Sequence, residues 1–326
     1  MDTLNCETIY KSKLLTEQHF HGAFGVDFSN CKSDEILELA KKLLTHGIGG
    51  FFPTLVTDSV ENIKRQIQEI KIAKENQTPE MASILGIHLE GIFINHNKKG
   101  IHNEKLFLAP TVENYKLIED ALIKIVTLAP ELDANGDLSR YLTLKGVKVQ
   151  AGHCVSGDLT KCSGVTHLFN AMEGISHRGK STALSALLDD RIYTEIIADG
   201  IHLSDDVLEL VFKTKPEEKI ILVSDSLPLA GSELTEIDFA GEKIFFKDGK
   251  AVSSSGTLAG STAVLNEIVA KLSRKNPEKF ETYAKMASEN LYDYHNIQID
   301  GFVWWDEDFN IVAIEKEGVV LYKSPN

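Results

Sequence analysis

Histidines and carboxylates stand where predicted β-strands end, and they are the residues of this sequence best suited to chemistry. Glu90 follows the apolar run 84–89 and precedes Gly91. A carboxylate at the tip of a buried strand is costly to desolvate unless it is paired or bound to a metal ion. Other predicted strands end in the same residue types, which are His19, His21, His153, His167 and Asp225. We therefore expect Glu90 to be a metal ligand that has its co-ligands among these residues.

These residue types predict a hydrolytic metal centre. Two imidazoles and a carboxylate are the ligand set of a catalytic zinc with an open position for water, and His153, His167 and Glu90 would supply it. The His-x-His pair of the first strand projects to one side and could hold a second ion with Asp225. A bound ion brings the pKa of water near neutrality, and Asp225 would carry the proton to the leaving group. Among the metals that accept such ligands, we expect zinc or iron. The sequence does not determine whether one ion or two are bound.

Each of these residues also has a purely structural explanation. A single buried histidine is more often hydrogen-bonded within a core than bound to a metal, and an aspartate after a strand can cap a helix. We assign His46, His88 and His295 to this structural class, because none of them ends a strand beside the others. For the strand-end residues the metal hypothesis is preferred, because so many predicted strands end in them.

The elements that would position these residues alternate between strands and helices. Eight strands are predicted, over residues 14–21, 48–56, 84–89, 123–128, 147–153, 165–171, 192–200 and 219–225. Strands separated by helical segments predict right-handed crossovers and an α/β fold, a closed (β/α)8 barrel of the TIM type whose active site lies at the carboxyl ends of the strands. We expect the catalytic barrel over 14–295, a β-hairpin insertion at about 234–253 in it, and a small β appendage from 1–13 and 296–326.

Composition excludes several classes of function. The chain has 326 residues and a net charge of −14, which argues against a nucleic-acid surface. No apolar run approaches the length of a membrane span, and the N-terminal residues do not resemble a signal peptide. The four cysteines form no C-x-x-C pair, so neither a zinc knuckle nor a disulfide scaffold is indicated. A cytoplasmic location is expected on these grounds.

Several motifs link the chain to a known family. In order they are HFHGAFGVDF (19–28), GIHLEGIFIN (86–95), KKGIH (98–102), VTLAPE (126–131), AGH (151–153), THLFNAM (166–172), HRGK (177–180), ADGIH (198–202), LVSDSLPLAG (222–231) and GTLAGS (256–261). They span nearly the whole predicted barrel. The sequence resembles the amidohydrolase superfamily, and within it most closely the N-acetylglucosamine-6-phosphate deacetylase family.

The resemblance implies a role for individual residues. It implies that Glu90, His153 and His167 bind the metal, and that Asp225 is the catalytic acid and base. Arg178 matches an arginine that reaches the substrate phosphate from the neighbouring subunit, so a homodimer is implied, and a guanidinium suits that phosphate. The remaining residues implied to bind the substrate are Ile101, His102, Asn170, Ala171, Asp199, His202, Leu258, Ala259 and Gly260. His19 and His21 match a pair that some members carry and others replace.

The chain departs from the family pattern at three places. The segment before the His-x-His pair is shorter than usual, and Gly91-Ile92-Phe93 lacks the usual proline. Residues 154–166 are fewer than the family has, so we expect the helix between strands five and six to be lost. None of these changes removes a residue with a predicted chemical role.

The expected activity is metal-dependent hydrolysis of N-acetylglucosamine 6-phosphate to glucosamine 6-phosphate and acetate, a step of amino-sugar catabolism. One alternative is an amidohydrolase for another N-acyl amino sugar, which His102, Asn170 and Arg178 argue against. Another is a non-catalytic homologue that binds a sugar phosphate, which the intact ligand set argues against.

Overall fold

The computed structural model describes residues 10–155 and 157–323. In chain order the first half forms β1 (Tyr10–Lys13), β2 (Leu15–Phe20), β3 (Gly22–Ala23), β4 (Val26–Asp27), α1 (Ser33–Thr45), β5 (Ile48–Leu55), α2 (Val60–Asn76), β6 (Ser83–Ile84), β7 (Ile87–Glu90), α3 (Val112–Lys116), β8 (Ile123–Leu128) and α4 (Asp137–Leu144). Short 3-10 helices lie at His96–Lys98 and Glu104–Leu106. The parts of the predicted appendage over residues 1–9 and 324–326 lie outside the described residues.

The second half begins with β9 (Lys148–Ala151), β10 (Gly164–Val165), α5 (Thr182–Leu188), β11 (Tyr193–Ile196), α6 (Asp205–Thr214) and β12 (Ile220–Leu222). It continues with β13 (Glu236–Phe239), β14 (Glu242–Lys247), β15 (Lys250–Ser253), β16 (Leu258–Gly260), α7 (Leu265–Lys275), α8 (Phe280–Met286), α9 (Glu289–His295), β17 (Gly301–Trp305), β18 (Ile311–Lys316) and β19 (Val319–Lys323). Two more 3-10 helices lie at Glu217–Lys219 and Pro277–Lys279.

A curled parallel sheet is the centre of the α/β fold. Its strand order is β12-β11-β10-β9-β8-β7-β5-β2, and β6 pairs with β5. Strands such as β5 and β8 are buried along nearly their whole length, as expected for parallel strands covered on both faces. At the carboxyl ends of the two outer strands, His21 N donates to Ser226 O at 2.8 Å and Asp225 N donates to His19 O at 2.9 Å. The end of β2 and the residues that follow β12 therefore lie side by side.

The helices bury one face against this sheet. In α2 the apolar residues Ile63, Ile67 and Ile70 are buried, and the Ser59 hydroxyl caps the helix by accepting from Asn62 N. This spacing of three to four residues is what an amphipathic helix requires. The sequence pattern predicts the bounds of β8 as the structure has them. Within the described residues no helix lies between β9 and β10, in agreement with the expected loss.

The predicted sixth strand is wrong over most of its length. We expected a strand over 165–171, whereas β10 ends at Val165. His167, Phe169 and Ala171 have φ angles of 33°, 74° and 48°. This left-handed conformation is incompatible with an extended strand, so the residues after Val165 form a turn. The strands β11 and β12 also end earlier than predicted, before the polar residues that follow them.

Two four-stranded antiparallel sheets accompany the parallel one, and β3 pairs with β4 in a two-stranded antiparallel sheet. The order β13-β14-β15-β16 extends the predicted hairpin insertion to a four-stranded sheet, and the side chains of Phe239 and Ile244 pack in a separate apolar cluster. The order β1-β17-β18-β19 joins the two ends of the described chain. Trp305 of this sheet is fully buried in the same hydrophobic core as the parallel strands. The division into a barrel and an appendage stays a prediction.

Among the residues that the structure describes, no helix combines the length and the apolar character that crossing a membrane requires.

Candidate metal centre and substrate cavity

The carboxylate of Glu90 lies at the centre of a buried cluster of histidines. Its Oε1 atom is 2.9 Å from His167 Nε2 and 3.2 Å from His153 Nε2. The two Nε2 atoms are 3.1 Å from each other. His153 Nδ1 donates to the carbonyl oxygen of Lys98 at 2.8 Å, which leaves Nε2 to face Glu90. The structure therefore brings together the three residues expected to bind the metal.

The His-x-His pair reaches the same carboxylate from β2. His21 Nε2 is 3.1 Å from Glu90 Oε2 and 3.3 Å from Asp225 Oδ1. His19 Nε2 is 3.4 Å from both Glu90 Oε1 and Asp225 Oδ1. All four residues are buried, and the most exposed of them is Asp225, at 9%. Glu90 thus stands between two groups of imidazoles, as expected for a residue that could bridge two ions.

The backbone of the strand-end residues is unusual. His153, His167 and Asp225 have φ angles of 48°, 33° and 51°. Residues with side chains adopt this left-handed region rarely, at a cost of about 1–3 kcal/mol each, and such outliers cluster at functional sites. In this chain the left-handed conformation occurs just after β9, β10 and β12, and the side chains of His153, His167 and Asp225 are directed to the Glu90 cluster.

The buried charges of the cluster favour a cation. Burial alone would lower the pKa of His19, but the carboxylates of Glu90, Glu195 and Asp225 outweigh it and raise that pKa well above its usual value. Burial would raise the pKa of Glu90, and the neighbouring histidines, above all His19, hold it well below the usual range. Asp225 is likewise desolvated, yet His19 and His21 lower its pKa. The carboxylates are therefore kept ionised, and they attract positive charge to the site.

The donor atoms also have the spacing that a metal ion requires. Ligands at about 2.0–2.1 Å from one tetrahedral ion lie roughly 3.3 Å apart. The separations among Glu90 Oε1, His153 Nε2 and His167 Nε2 are close to this value. His19 Nε2 is buried and has no hydrogen-bond partner among the described residues. His19, His21 and Asp225 also offer donor atoms that all lie within 4.8 Å of one another. The residues present therefore fit a divalent metal.

A cavity of about 730 Å³ opens above this cluster. Its wall includes His21, Glu90, His153, His167 and Asp225 of the cluster. It also contains most of the residues expected to bind the substrate, which are Ile101, His102, Asn170, Ala171, His202, Leu258, Ala259 and Gly260. His102 Nδ1 is 2.8 Å from the hydroxyl of Thr57. The cavity therefore combines the predicted metal ligands with the predicted substrate contacts.

Three predicted site residues do not line this cavity. His19 lies beneath it and is completely buried. Asp199 lies behind His202, because its Oδ2 atom is 2.8 Å from His202 Nδ1 while Oδ1 accepts the backbone N–H groups of Ile201 and His202. Arg178 is exposed on the loop 173–180, outside the wall of the cavity. Asp199 thus orients a cavity residue and does not itself face the cavity.

Sequence reasoning missed several residues that support the site. Glu195 is buried and holds His19 Nδ1 at 2.9 Å. Thr57 orients His102, and Phe239 lies against His21 with ring centroids 5.2 Å apart. For Glu195 a signal was present, since an acid interrupts the otherwise apolar segment IYTEIIADG (192–200). The positions of Thr57 and Phe239 depend on tertiary contacts that no local pattern reveals.

The chain is similar to several known proteins that share one name. No protein-family model matches the chain. An N-acetylglucosamine-6-phosphate deacetylase of Bacillus subtilis is 32% identical over 93% of this chain and 80% of its own length. One from Caenorhabditis elegans is 33% identical over 80% of this chain and 68% of its own. The crystal structure of the enzyme with this name from Thermotoga maritima superposes with a TM-score of 0.86 at 29% identity, covering 96% of this chain and 89% of that one.

Proposed function

Because the chain belongs to the N-acetylglucosamine-6-phosphate deacetylase family of the amidohydrolase superfamily, we propose that it hydrolyses N-acetylglucosamine 6-phosphate to glucosamine 6-phosphate and acetate. The observation that carries the proposal is the juxtaposition of Glu90, His153, His167 and Asp225 at the floor of one cavity. This is the residue set of an amide hydrolase, with metal ligands beside a group that can carry a proton.

The same family relationship supports the predicted architecture. We propose that the parallel strands close into a (β/α)8 barrel over residues 14–295, with the antiparallel sheet β1-β17-β18-β19 as its appendage. The two backbone hydrogen bonds between the end of β2 and the residues after β12 support closure. Closure would also explain why His19 of β2 lies beside Asp225, which follows β12, although these are the two outer strands of the parallel sheet.

Glu90, His153 and His167 would hold a divalent cation, zinc or iron being preferred. His19, His21 and Asp225 would hold a second one. Such a cation supplies Lewis-acid polarisation of the amide carbonyl and makes water acidic enough to react near neutral pH. The chain itself provides the ligands, their orientation and a cavity wall.

Asp225 would move the proton of the reaction. Its carboxylate is kept ionised by His19 and His21, which lower its pKa, so it can accept a proton from water as the oxygen attacks the acyl carbon. When the carbon–nitrogen bond breaks, Asp225 would return that proton to the departing nitrogen. The water is then divided between the two products, and the carboxylate is regenerated.

Two histidines of the cavity would orient the substrate. Burial lowers the pKa of His202, but Asp199 outweighs this effect and raises it, so the ring is suited to donate a hydrogen bond. Burial and the neighbouring His153 lower the pKa of His102 well below its usual value, so that ring is neutral. A charged donor and a neutral ring in the wall of one cavity can hold the carbonyl and the sugar hydroxyl groups in a fixed orientation.

The decisive experiment measures acetate release by the purified, metal-loaded protein from a panel of substrates. We expect release from N-acetylglucosamine 6-phosphate, with a kcat/KM at least about tenfold above that for N-acetylglucosamine, because charged hydrogen bonds to the phosphate contribute about 1.5–3 kcal/mol. N-acetylgalactosamine 6-phosphate and N-formylglucosamine 6-phosphate serve as comparisons. A clear preference for one of these would establish the alternative substrate. Tight binding of the sugar phosphate without acetate release would establish a non-catalytic binding protein.

We further propose a homodimer in which Arg178 reaches the phosphate in the partner's cavity. The loop that carries it, residues 173–180, is exposed throughout. Lys98 ties the base of this loop to the cavity, because its Nζ atom lies 3.2 Å from Met172 O and 3.1 Å from a carboxylate oxygen of Glu173. A guanidinium on such a loop is suited to a phosphate outside its own subunit.

Subunit mixing tests this arrangement. Arg178→Ala and Asp225→Asn should each be nearly inactive alone. If they are mixed under conditions that exchange subunits, half of the dimers are heterodimers, and one of the two sites in each has both residues. Acetate release should therefore recover to about a quarter of the wild-type rate. An Arg178→Ala protein that stays inactive after confirmed exchange would show that Arg178 acts within its own subunit, and a fully active one would show that it has no role.

A further inference from the structure

A buried carboxylate behind the histidine cluster has no part in the chemistry described so far. Glu195 lies in β11 and is 1% exposed. Its Oε1 atom accepts a hydrogen bond from Gln18 Nε2 at 2.5 Å. Its Oε2 atom is 2.9 Å from His19 Nδ1 and accepts the backbone N–H of His167 at 3.3 Å. One carboxylate therefore contacts two of the proposed metal ligands on two different strands.

These contacts determine which nitrogen of His19 carries the proton. A backbone N–H can only donate, so Glu195 Oε2 is an acceptor towards His167. The same ionised oxygen must also accept from His19, whose Nδ1 is then the protonated nitrogen. His19 Nε2 is consequently the nitrogen left to bind a cation in place of a proton, and it lies between Glu90 Oε1 and Asp225 Oδ1, each 3.4 Å away. An imidazole whose rear N–H is held by a carboxylate is the usual arrangement of a metal-binding histidine.

We infer that Glu195 is a positioning residue that makes His19 a ligand for a second cation, next to the one held by Glu90, His153 and His167. The inference rests on the proposed function, because it takes the Glu90 cluster to be a metal centre. Glu195 does not line the cavity. It acts through the tautomer and orientation of His19, and through the backbone N–H of His167 it couples the second position to the first.

The chain offers a matched control for this residue. Glu17 in β2 is equally buried, at 1% exposure. Its two carboxylate oxygens accept the backbone N–H groups of His19 and Ser224, at 3.2 and 3.1 Å, and no contact with an imidazole nitrogen is present among the described residues. Changing Glu17→Gln therefore alters a buried, hydrogen-bonded glutamate side chain in the same strand as His19 without changing the partner of the His19 ring. A purely structural role for Glu195 predicts similar behaviour of the two variants.

The experiment measures metal binding to metal-stripped protein by titration calorimetry and elemental analysis, with Mn²⁺ or Zn²⁺ as the probe. We expect two sites in the wild type, and in Glu195→Gln a loss of about 10- to 100-fold in affinity at one of them. Glu17→Gln should keep both affinities. With Mn²⁺, the electron paramagnetic resonance signal of a coupled ion pair should be present in the wild type and in Glu17→Gln, and absent from Glu195→Gln at stoichiometric metal.

Several results would overturn the inference. One is a wild type that binds a single ion. Another is a Glu195→Gln variant whose two affinities match those of Glu17→Gln. Should Glu195→Gln fold poorly, as judged by its unfolding midpoint in chelator, His19→Ala is measured instead, and it should lose the same metal site, because Glu195 acts on that site through His19. None of these readouts requires acetate release, so two intact metal sites without activity would count against the proposed function alone.

Discussion

Asp225→Asn is expected to lower kcat for acetate release by about 10²–10⁴-fold, with little change in KM. Asparagine has the shape of aspartate but cannot accept the proton of water and return it to the amine. It also tolerates the left-handed backbone at this position, where φ is 51°. The backbone hydrogen bonds of residue 225, to His19 O and from Ser261 N, do not involve the side chain. The variant should therefore fold as the wild type does.

The interpretation of this variant requires two accompanying measurements. Metal content per chain must be determined, because Asp225 Oδ1 is 3.3 Å from His21 Nε2 and belongs to the second group of donors. Binding of a non-hydrolysable substrate analogue should be retained. A variant with full metal content and wild-type kcat would exclude Asp225 as the proton carrier. Loss of metal together with activity would instead show that Asp225 is mainly a ligand.

The strand-end residues could be predicted from the sequence because parallel strands all point their carboxyl ends to one edge. Once β7, β9 and β12 were recognised, Glu90, His153 and Asp225 had to lie near one another, and the structure brings them together. The pairing of His19 with His21 followed from the alternation of side chains along β2. These predictions required no knowledge of distances, only of strand direction and strand ends.

Other features depend on contacts that are distant in the sequence. Glu195 and His19 are 176 positions apart in the sequence. They are in contact only because β11 and β2 direct these two side chains into the same buried interior. The early end of β10 was missed because segment 165–171 contains residues that favour strands, such as Thr166 and Phe169. The left-handed φ angles that end the strand are imposed by the surroundings of His167. Local preference cannot reveal a conformation that the tertiary structure enforces.

Glu90→Gln is expected to abolish stoichiometric metal binding and, with it, acetate release. Glutamine keeps the size of the side chain but removes the charge that lies within 4 Å of the imidazoles of His19, His21, His102, His153 and His167. A neutral amide cannot bridge two cations as a carboxylate does, and its NH₂ group would oppose a ligand nitrogen. We expect less than about a tenth of the wild-type metal content after dialysis, since loss of a first ligand exceeds the 10- to 100-fold cost of losing a supporting residue.

The stability of the folded protein gives an independent measure of the same effect. A ligand present at about a thousand times its Kd raises the free energy of unfolding by about 4 kcal/mol, so the wild type should unfold at higher temperature with metal than with chelator, and Glu90→Gln should show no difference. Glu131→Gln is the matched control, because Glu131 also follows a parallel strand, β8, and its Oε1 atom accepts only from Asn95 and Val155 N in the described structure. The control should keep the metal-dependent stabilisation. If Glu90→Gln kept it too, the ligands would lie elsewhere and the Glu90 cluster would be a hydrogen-bonded polar core.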